Sequence, residues 1–375
     1  MTKRKNGSPS VKHREIAQLN YLRGIEAIKQ NNWQEAVEYF KSVLTIIPGQ
    51  MDALHNLGAL YQMQGRLNEA EKVYRSILNI APKELKTNYN LANLLKIQGK
   101  PDEALVYFRK TLEIDSSHIS AQHMQAALSG ITTESPPDGY TVALFDQYAE
   151  RFDETLVNEL NYQVPITLRD TVAKCLGSNI TFQNVLDLGC GTGLSGNAFR
   201  SISRHLTGVD ISSKMLEQSS KKAIYDELHR DDIIKFLTIS KERYDLVIAA
   251  DVLVYVGNKT PLFSRLQNIL HPGSYFAFST EISETDNYVL LQSGRYAHSK
   301  NYIQTLSDKH GFKIKVCDIA PLRTEMGKII KGTYYVLEKF TKSITWSLAI
   351  LVIWSFDFCR SATQRLDIMT ALGTI

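Results

Sequence analysis

The run Val185-Leu186-Asp187-Leu188-Gly189-Cys190-Gly191-Thr192-Gly193 constrains this chain more than any other stretch. An apolar segment takes up one acid and then breaks into three glycines at alternate positions. That pattern reads as a buried parallel strand running into a turn of phosphate or nucleoside size. Glycines suit such a turn because the backbone must bend sharply and meet a ligand with no Cβ in the way. The following segment, Leu194 to Ile202, reads as a helix whose N-terminus faces the same ligand.

Several nucleotide-binding readings can be sorted on these residues. No Gly-Lys-Ser/Thr ending follows the glycines, which speaks against a P-loop. Gly191, Gly193 and Gly196 do match the dinucleotide pattern, so a nicotinamide-dependent oxidoreductase stays open on this stretch alone. A second short strand, His205-Leu206-Thr207-Gly208-Val209-Asp210, ends in an acid about 20 residues after the glycines. An acid at that place accepts hydrogen bonds from ribose hydroxyls in nucleoside-binding α/β folds. Ser212 or Ser213 then caps a helix start. From residue 165 onward strand and helix patterns alternate, as in a parallel sheet with helices on both faces. Strands are predicted near 184–189, 205–210, 224–229, 244–250, 274–280, 312–318 and 332–338.

The stretch Val185–Gly193 resembles the first motif of class I S-adenosylmethionine-dependent methyltransferases. Ile211 to Leu216 is similar to the segment after the family's second strand, and Asp231-Asp232 to the acid that accepts from the adenine amino group. Tyr244 to Asp251 resembles the fourth strand, whose end borders the methyl donor. The resemblance implies a doubly wound, Rossmann-like seven-stranded sheet with its last strand, Gly332 to Leu337, antiparallel. It implies S-adenosylmethionine as cosubstrate, held by Asp187, Gly189, Cys190, Gly191, Gly193, Asp210, Ile211, Met215, Asp232 and Ala250, with no metal. The stretch Ala249-Ala250-Asp251-Val252-Leu253 lacks the Asn/Asp-Pro-Pro-Tyr sequence that amide and adenine amino methylation use, which disfavours those acceptors. The acceptor stays unidentified, a small molecule or a protein. The alternative function is a repeat-based scaffold with a non-catalytic nucleoside-binding domain.

The N-terminal third repeats itself. Ala36, Ala70 and Ala104 recur with a 34-residue step, as do Phe40, Tyr74 and Phe108. Gly24, Gly58 and Ala92 keep the same step, and so do Asn31, Gly65 and Gly99. Small residues let paired helices cross closely, the aromatic fills the gap between them, and Gly or Asn turns the chain. The period and phases resemble the tetratricopeptide repeat, which implies an α-solenoid with a protein or peptide partner on its concave face. Repeats are placed at 17–50, 51–84 and 85–118, with a capping helix from Ile119 to Leu128. Asn56, Asn90 and Asn93 fall on first helices, either reaching a bound backbone or serving as plain surface residues.

The chain thus divides into a basic disordered tail at 1–16, repeats with their cap at 17–130, a linker at 131–139, the α/β domain at 140–340 and an apolar extension of unassigned role at 341–375. Phe145 to Asp153 resembles the opening segment of repeat-bearing bacterial methyltransferases, and it either closes over the donor or packs on the α/β core. Ser293 to Ser299 resembles a second block of that group. It supplies Arg295 and His298, which either contact the substrate, with His298 as the base, or hold the lid or cap the helix starting near Ser299; with Tyr148 they are the candidate catalytic side chains. The run from Ile344 to Phe358 is apolar enough for a peripheral membrane contact. A net charge of +4 gives no argument for nucleic acid. Four cysteines with no paired spacing, and no secretion signal, point to a cytoplasmic, reducing setting.

Overall fold

The structure is a computed structural model and describes residues 10–149, 152–154, 156, 160–325 and 327–340. The first nine residues and the extension at 341–375, with its apolar run, lie outside the described residues.

Seven helices build the solenoid: α1 (Val11–Lys29), α2 (Trp33–Ile46), α3 (Met51–Met63), α4 (Leu67–Ile80), α5 (Leu85–Ile97), α6 (Pro101–Ile114) and α7 (Ile119–Leu128). The periodic residues explain the pairing. Ala36, Ala70 and Ala104 are fully buried, as are Phe40 and Phe108, with Tyr74 nearly so. A Cβ on Gly24 would lie 2.8 Å from the Phe40 ring, and one on Gly58 would lie 2.5 Å from Tyr74, so the glycines make room for the aromatics. The turns at Asn31, Gly65 and Gly99 take positive φ. One expectation is corrected here. The N-terminal tail does not continue to residue 16, because Ser10 caps α1 by accepting from the His13 amide and the helix starts at Val11.

Three helices follow: α8 (Tyr140–Tyr148), the single turn α9 (Phe152–Glu154) and α10 (Val164–Leu176). The α/β unit then runs β1 (Phe182–Leu188), α11 (Leu194–Phe199), β2 (Ser203–Asp210), α12 (Ser213–Lys221), β3 (Glu227–Arg230), α13 (Ile233–Ile239), β4 (Tyr244–Ala249) and α14 (Thr260–Ile269). It ends with β5 (Leu270–Ile282), β6 (Tyr288–Leu290), β7 (Tyr296–His298), α15 (Lys300–His310), β8 (Phe312–Glu325) and β9 (Lys328–Lys339). The central order is β3-β2-β1-β4-β5, all parallel. β9 joins β5 antiparallel and carries β8 on its far edge. Seven strands were predicted; the short hairpin β6–β7 extends the sheet, with β7 parallel to the end of β5 at Glu281 and Ile282.

That hairpin ties the two halves together. Leu290 and Tyr296 are buried in the same apolar cluster as the repeat helices. His123 of α7 has Nε2 2.8 Å from the Gly294 carbonyl, and its ring lies 4.2 Å from that of Tyr140. The expected linker is a bound strap. Thr133 hydroxyl lies 2.6 Å from the Tyr296 hydroxyl, the Thr132 hydroxyl accepts from the Leu290 amide, and the Asn258 amide donates to the Glu134 carbonyl. Among the described residues no helix is long and apolar enough to cross a membrane, and no cluster of His, Cys, Asp or Glu could hold a metal ion.

Candidate functional site

The chain leaves β1 through three glycines with φ of 69, 53 and 95° at Gly189, Gly191 and Gly193. L side chains rarely adopt this region, which is why glycine stands there. The Gly189 and Cys190 amides both donate to the Val209 carbonyl, at 2.8 and 3.0 Å, so the turn is pinned to the end of β2. A Cβ on Gly189 would sit 2.2 Å from Val252 Cγ2, whereas one on Gly191 would meet nothing within 4 Å. Asp210 faces the turn. Its two carboxylate oxygens accept from the Gly191 and Ser212 amides, each at 2.8 Å, and each oxygen keeps further acceptor capacity. Burial raises its pKa, and the amide donors pull it back.

These groups form one wall of a cavity of about 100 Å³. Of the residues expected to bind a nucleoside, Gly189, Cys190, Gly191, Asp210, Met215 and Ala250 line it. The others stand elsewhere. Gly193 begins α11, with the Ser219 hydroxyl and Tyr225 ring near its missing Cβ. Ile211 is half-buried beside the wall rather than on it. Asp187 is fully buried behind the turn, where its Oδ2 accepts from Ser195 Oγ and Tyr225 hydroxyl, both at 2.6 Å. Burial pushes Asp187 up to about 6, against the pull of those two donors. Asp232 is the N-cap of α13, with Oδ1 accepting from the Ile234 and Lys235 amides at 2.9 and 3.1 Å. Oδ1 thus serves the helix.

The opposite wall is built from parts far apart in sequence. Asp251 follows β4 at φ 57°, and its amide donates to Ser279 Oγ at 3.0 Å. Its Oδ1 is buried without a hydrogen bond, 3.6 Å from the equally unbonded Nη1 of Arg323. Arg323 in β8 is 1% exposed and is held by Glu281 of β5 and by Glu325, the latter at 2.6 Å. Arg295 lines the cavity, pairs with Glu325, lies 3.7 Å from Glu281 and donates to the Tyr255 hydroxyl at 3.4 Å. Burial pushes Asp251 up to about 6 and Glu281 up to about 7, with the charge of Arg295 opposing both rises. Sequence reasoning missed Asp251, Tyr255, Glu281 and Arg323. The one available signal was an acid directly after the apolar fourth strand.

Residues 160–314 match a family model described as a methyltransferase domain, and residues 49–117 match one described as tetratricopeptide repeat. The chain is 28% identical over 172 residues to a ubiquinone biosynthesis O-methyltransferase of Alkalilimnicola ehrlichii, covering 44% of this chain and 68% of that one. Its namesake in Thiobacillus denitrificans is 25% identical over 204 residues, covering 51% and 83%. A solved S-adenosylmethionine-dependent methyltransferase from Clostridium acetobutylicum aligns at 17% identity and a TM-score of 0.39, covering 53% of this chain and 100% of that one. The chain carries a methyltransferase domain behind tetratricopeptide repeats.

The cosubstrate fits the glycine wall of the methyltransferase. Open space at Gly191 admits a nucleoside, and Asp210 offers lone pairs to ribose hydroxyls. When bound, S-adenosylmethionine supplies a methyl group already activated by its sulfonium.

The candidate catalytic side chains separate. Arg295 is at the cavity. Tyr148 is 52% exposed and lies off the cavity wall. His298 is 1% exposed and turned away, with Nε2 3.0 Å from the Gly257 carbonyl and 2.6 Å from Lys259 Nζ. Burial, and then the neighbouring Lys259, hold His298 well below the usual histidine range. A base at the cavity is therefore not its place. In β7 side chains alternate, so Tyr296 and His298 share one face, while Arg295 stands just before the strand.

The segment around α8 and α9 roofs the donor wall. Phe145, Phe152 and Leu156 line the cavity, and the Phe145 ring lies 5.1 Å from that of Tyr255. Asp146 accepts from Ser212 Oγ at 2.5 Å, while Asp153 accepts from Thr192 Oγ1 and pairs with Lys222 at 2.5 Å. With the roof in this position the cavity is smaller than the roughly 300–1,000 Å³ of typical ligand pockets. The amphipathic segment, for which closure and packing were both open, covers the donor wall.

Proposed function

We propose that the methyltransferase methylates a hydroxyl oxygen of a flat, largely apolar acceptor, with Asp251 taking the proton. The observation that carries this reading is the buried, unbonded Asp251 Oδ1 on the cavity wall opposite the glycine turn. A hydroxyl needs to lose its proton as it attacks, whereas a neutral amine can attack first. A carboxyl pushed up to about 6 is ionised at neutral pH and is a stronger base than an ordinary aspartate. Phe145, Phe152, Tyr162 and Tyr255 offer rings to a flat acceptor. The relatives named above are O-methyltransferases, which supports oxygen as the acceptor atom.

In this reading Gly189, Cys190, Gly191, Asp210, Met215 and Ala250 hold the donor. The repeats take a peptide or protein on their concave face. The test of the acceptor atom uses two small probes of equal shape. Labelled methyl transfer is measured to catechol and to ortho-phenylenediamine, in the full chain and in Asp251→Asn. Transfer to catechol that Asp251→Asn abolishes supports oxygen methylation. Equal transfer to the diamine, or full activity in Asp251→Asn, overturns it.

A further inference from the structure

Two residues of the wall opposite the glycine turn reach the cavity on loops that the repeats and strap hold. Tyr255 ends the short helical turn Leu253–Tyr255, and Arg295 follows a tight turn at Gly294. Arg295 Nε donates to the Tyr255 hydroxyl at 3.4 Å, so the two loops meet. The Arg295 turn is closed by the Gly294 amide donating to the Leu291 carbonyl at 2.9 Å and the Leu291 amide donating to the Arg295 carbonyl at 2.8 Å. From the repeat side, His123 of α7 donates from Nε2 to the Gly294 carbonyl at 2.8 Å. Met124, the next residue of α7, puts Sδ 2.9 Å from the place a Cβ would take on Gly294. The cap helix thus sits directly on the turn that carries Arg295.

The strap holds the other loop. The Asn258 amide donates to the Glu134 carbonyl at 2.8 Å. A Cβ on Gly257 would lie 2.6 Å from that same carbonyl and 2.7 Å from the Tyr296 ring. Only a residue without a side chain lets strap, loop and β7 approach so closely. Tyr296 is fastened in turn by the Thr133 hydroxyl, 2.6 Å from its own. The donor wall stands apart from this clamp. Among the described residues, the hydrogen bonds from 10–134 to the α/β domain end on Asn258, Leu290, Gly294 and Tyr296, and none reaches β1, β2 or the glycine turn.

We infer that His123 and Gly257 are positioning residues of the methyltransferase, through which cap helix and strap fix Arg295 and Tyr255 against the acceptor. The repeats are then part of the frame of the acceptor site, and donor binding is independent of them. This rests on the reading above that the wall of Asp251, Tyr255 and Arg295 takes the acceptor. A misplacement of about 1 Å at such a wall can cost about 10²-fold in rate.

The experiment compares the full chain with His123→Phe, His123→Gln and Gly257→Ala. Phenylalanine keeps a ring against Tyr140 and removes the donor to Gly294, glutamine returns an N–H in place of Nε2, and alanine wedges the strap from the Tyr255 loop. Gly257→Ala keeps the test open should His123→Phe not fold. Amide hydrogen exchange, S-adenosylmethionine affinity and labelled methyl transfer to catechol are measured on each. The Leu291 and Gly294 amides should exchange about tenfold faster in His123→Phe, and the Asn258 amide in Gly257→Ala, while Gly189 and Cys190 keep their rates. Catechol kcat/KM per folded molecule should fall about tenfold or more in both variants, with donor affinity unchanged. His123→Gln should recover most of both losses. Unchanged exchange at these turns, or faster exchange with unchanged kcat/KM, overturns the inference and leaves oxygen methylation standing. Equal losses of donor affinity and kcat/KM, or no recovery in His123→Gln, assign the residues to general stability and also overturn it. Donor binding without transfer to catechol in the unaltered protein overturns the oxygen reading, and the exchange rates then decide the positioning by themselves.

Discussion

Arg323 Nη1 and Asp251 Oδ1 stand 3.6 Å apart in the wall of the cavity, both buried and neither hydrogen-bonded. The separation is too long for a hydrogen bond but short for opposite charges. Arg323 cannot close it, because Glu281 and Glu325 already hold the guanidinium. The arginine thus favours the ionised aspartate without consuming its lone pair. What remains is a carboxylate oxygen with an unused lone pair on the cavity wall.

The first prediction concerns that oxygen. Asp251→Asn should lower kcat by about 10²–10⁴-fold, the usual contribution of a general base, with S-adenosylmethionine affinity unchanged. Because burial raises this carboxyl to about 6, the base form is present above that pH. The rate of the unaltered enzyme should therefore fall as pH drops through about 6, and the slow rate of Asp251→Asn should show no such limb. Stopped turnover with a radiolabelled donor across pH reads both, and an identical profile in the variant would remove Asp251 from the chemistry.

A second consequence is one of stability. A carboxyl whose folded pKa lies above its unfolded value contributes stability at low pH that is lost as pH rises through the folded pKa. For Asp251 the rise is from 3.8 to about 6, an order-of-magnitude cost of about 3 kcal/mol when ionised. Asp251→Asn should accordingly melt higher than the unaltered protein at about pH 8, with the gap narrowing toward about pH 5. Scanning calorimetry at the two pH values decides it; a variant that melts lower at the alkaline value contradicts the argument.

Gly189 gives the third test. With φ at 69° and Val252 Cγ2 2.2 Å from the missing Cβ, alanine is strained and collides with the loop that carries Asp251. The backbone strain alone is worth about 1–3 kcal/mol. Gly189→Ala should abolish measurable S-adenosylmethionine binding and lower the melting temperature, whereas Gly191→Ala should cost less in stability because nothing lies within 4 Å of its Cβ. Equal melting losses in the two variants would show that the contact with Val252 is relieved at no cost.

The junction between repeats and catalytic domain supplies the fourth. His123 is 2% exposed, bonded to the Gly294 carbonyl and packed against Tyr140. Burial lowers its pKa, so it serves as a neutral partner. His123→Ala leaves a buried carbonyl unpaired and opens a gap, a loss of about 1–3 kcal/mol. The expected readout is a calorimetric transition that splits in two, as the solenoid separates from the sheet. An unsplit transition at the original temperature would place the coupling elsewhere, in Tyr296 or the strap.

Much of this molecule was legible before any coordinates. The repeats announced themselves because each small residue faces an aromatic one helix later, as Gly24 does Phe40 and Gly58 does Tyr74, and such pairs must recur together. Asp210 was legible because strand end and glycine turn are local features. Asp232 caps α13 and is not among the residues that line the cavity, and an acid that caps a helix and an acid that faces a ligand have the same sequence context. Asp251 was illegible for a different reason. Its importance comes from what does not bond to it, and that depends on β5 and β8 arriving from far away in the chain.

The fifth prediction follows from the block at Arg295 and His298. Within a loop, an arginine and a histidine three residues apart could both reach a ligand. Arg295, just before β7, lines the cavity, whereas His298 at the end of β7 turns to Lys259. Lys259 is fully buried, and burial holds its pKa well below the usual lysine range. Its amine donates to the Leu253 and Val256 carbonyls, at 2.9 and 2.7 Å, on either side of Tyr255. His298 therefore supports the loop that presents Tyr255 to the cavity, at one remove from the acceptor. His298→Ala should destabilise the protein by about 1–3 kcal/mol, because it removes one partner of a buried amine and leaves a void. Turnover per folded molecule should fall far less than the 10²-fold or more expected on losing a base. The pH limb near 6 should persist, since it belongs to Asp251. Melting temperature, donor affinity and turnover measured on this one variant separate the roles. Lost turnover and a lost pH limb at unchanged melting would return His298 to the chemistry and displace Asp251 from it.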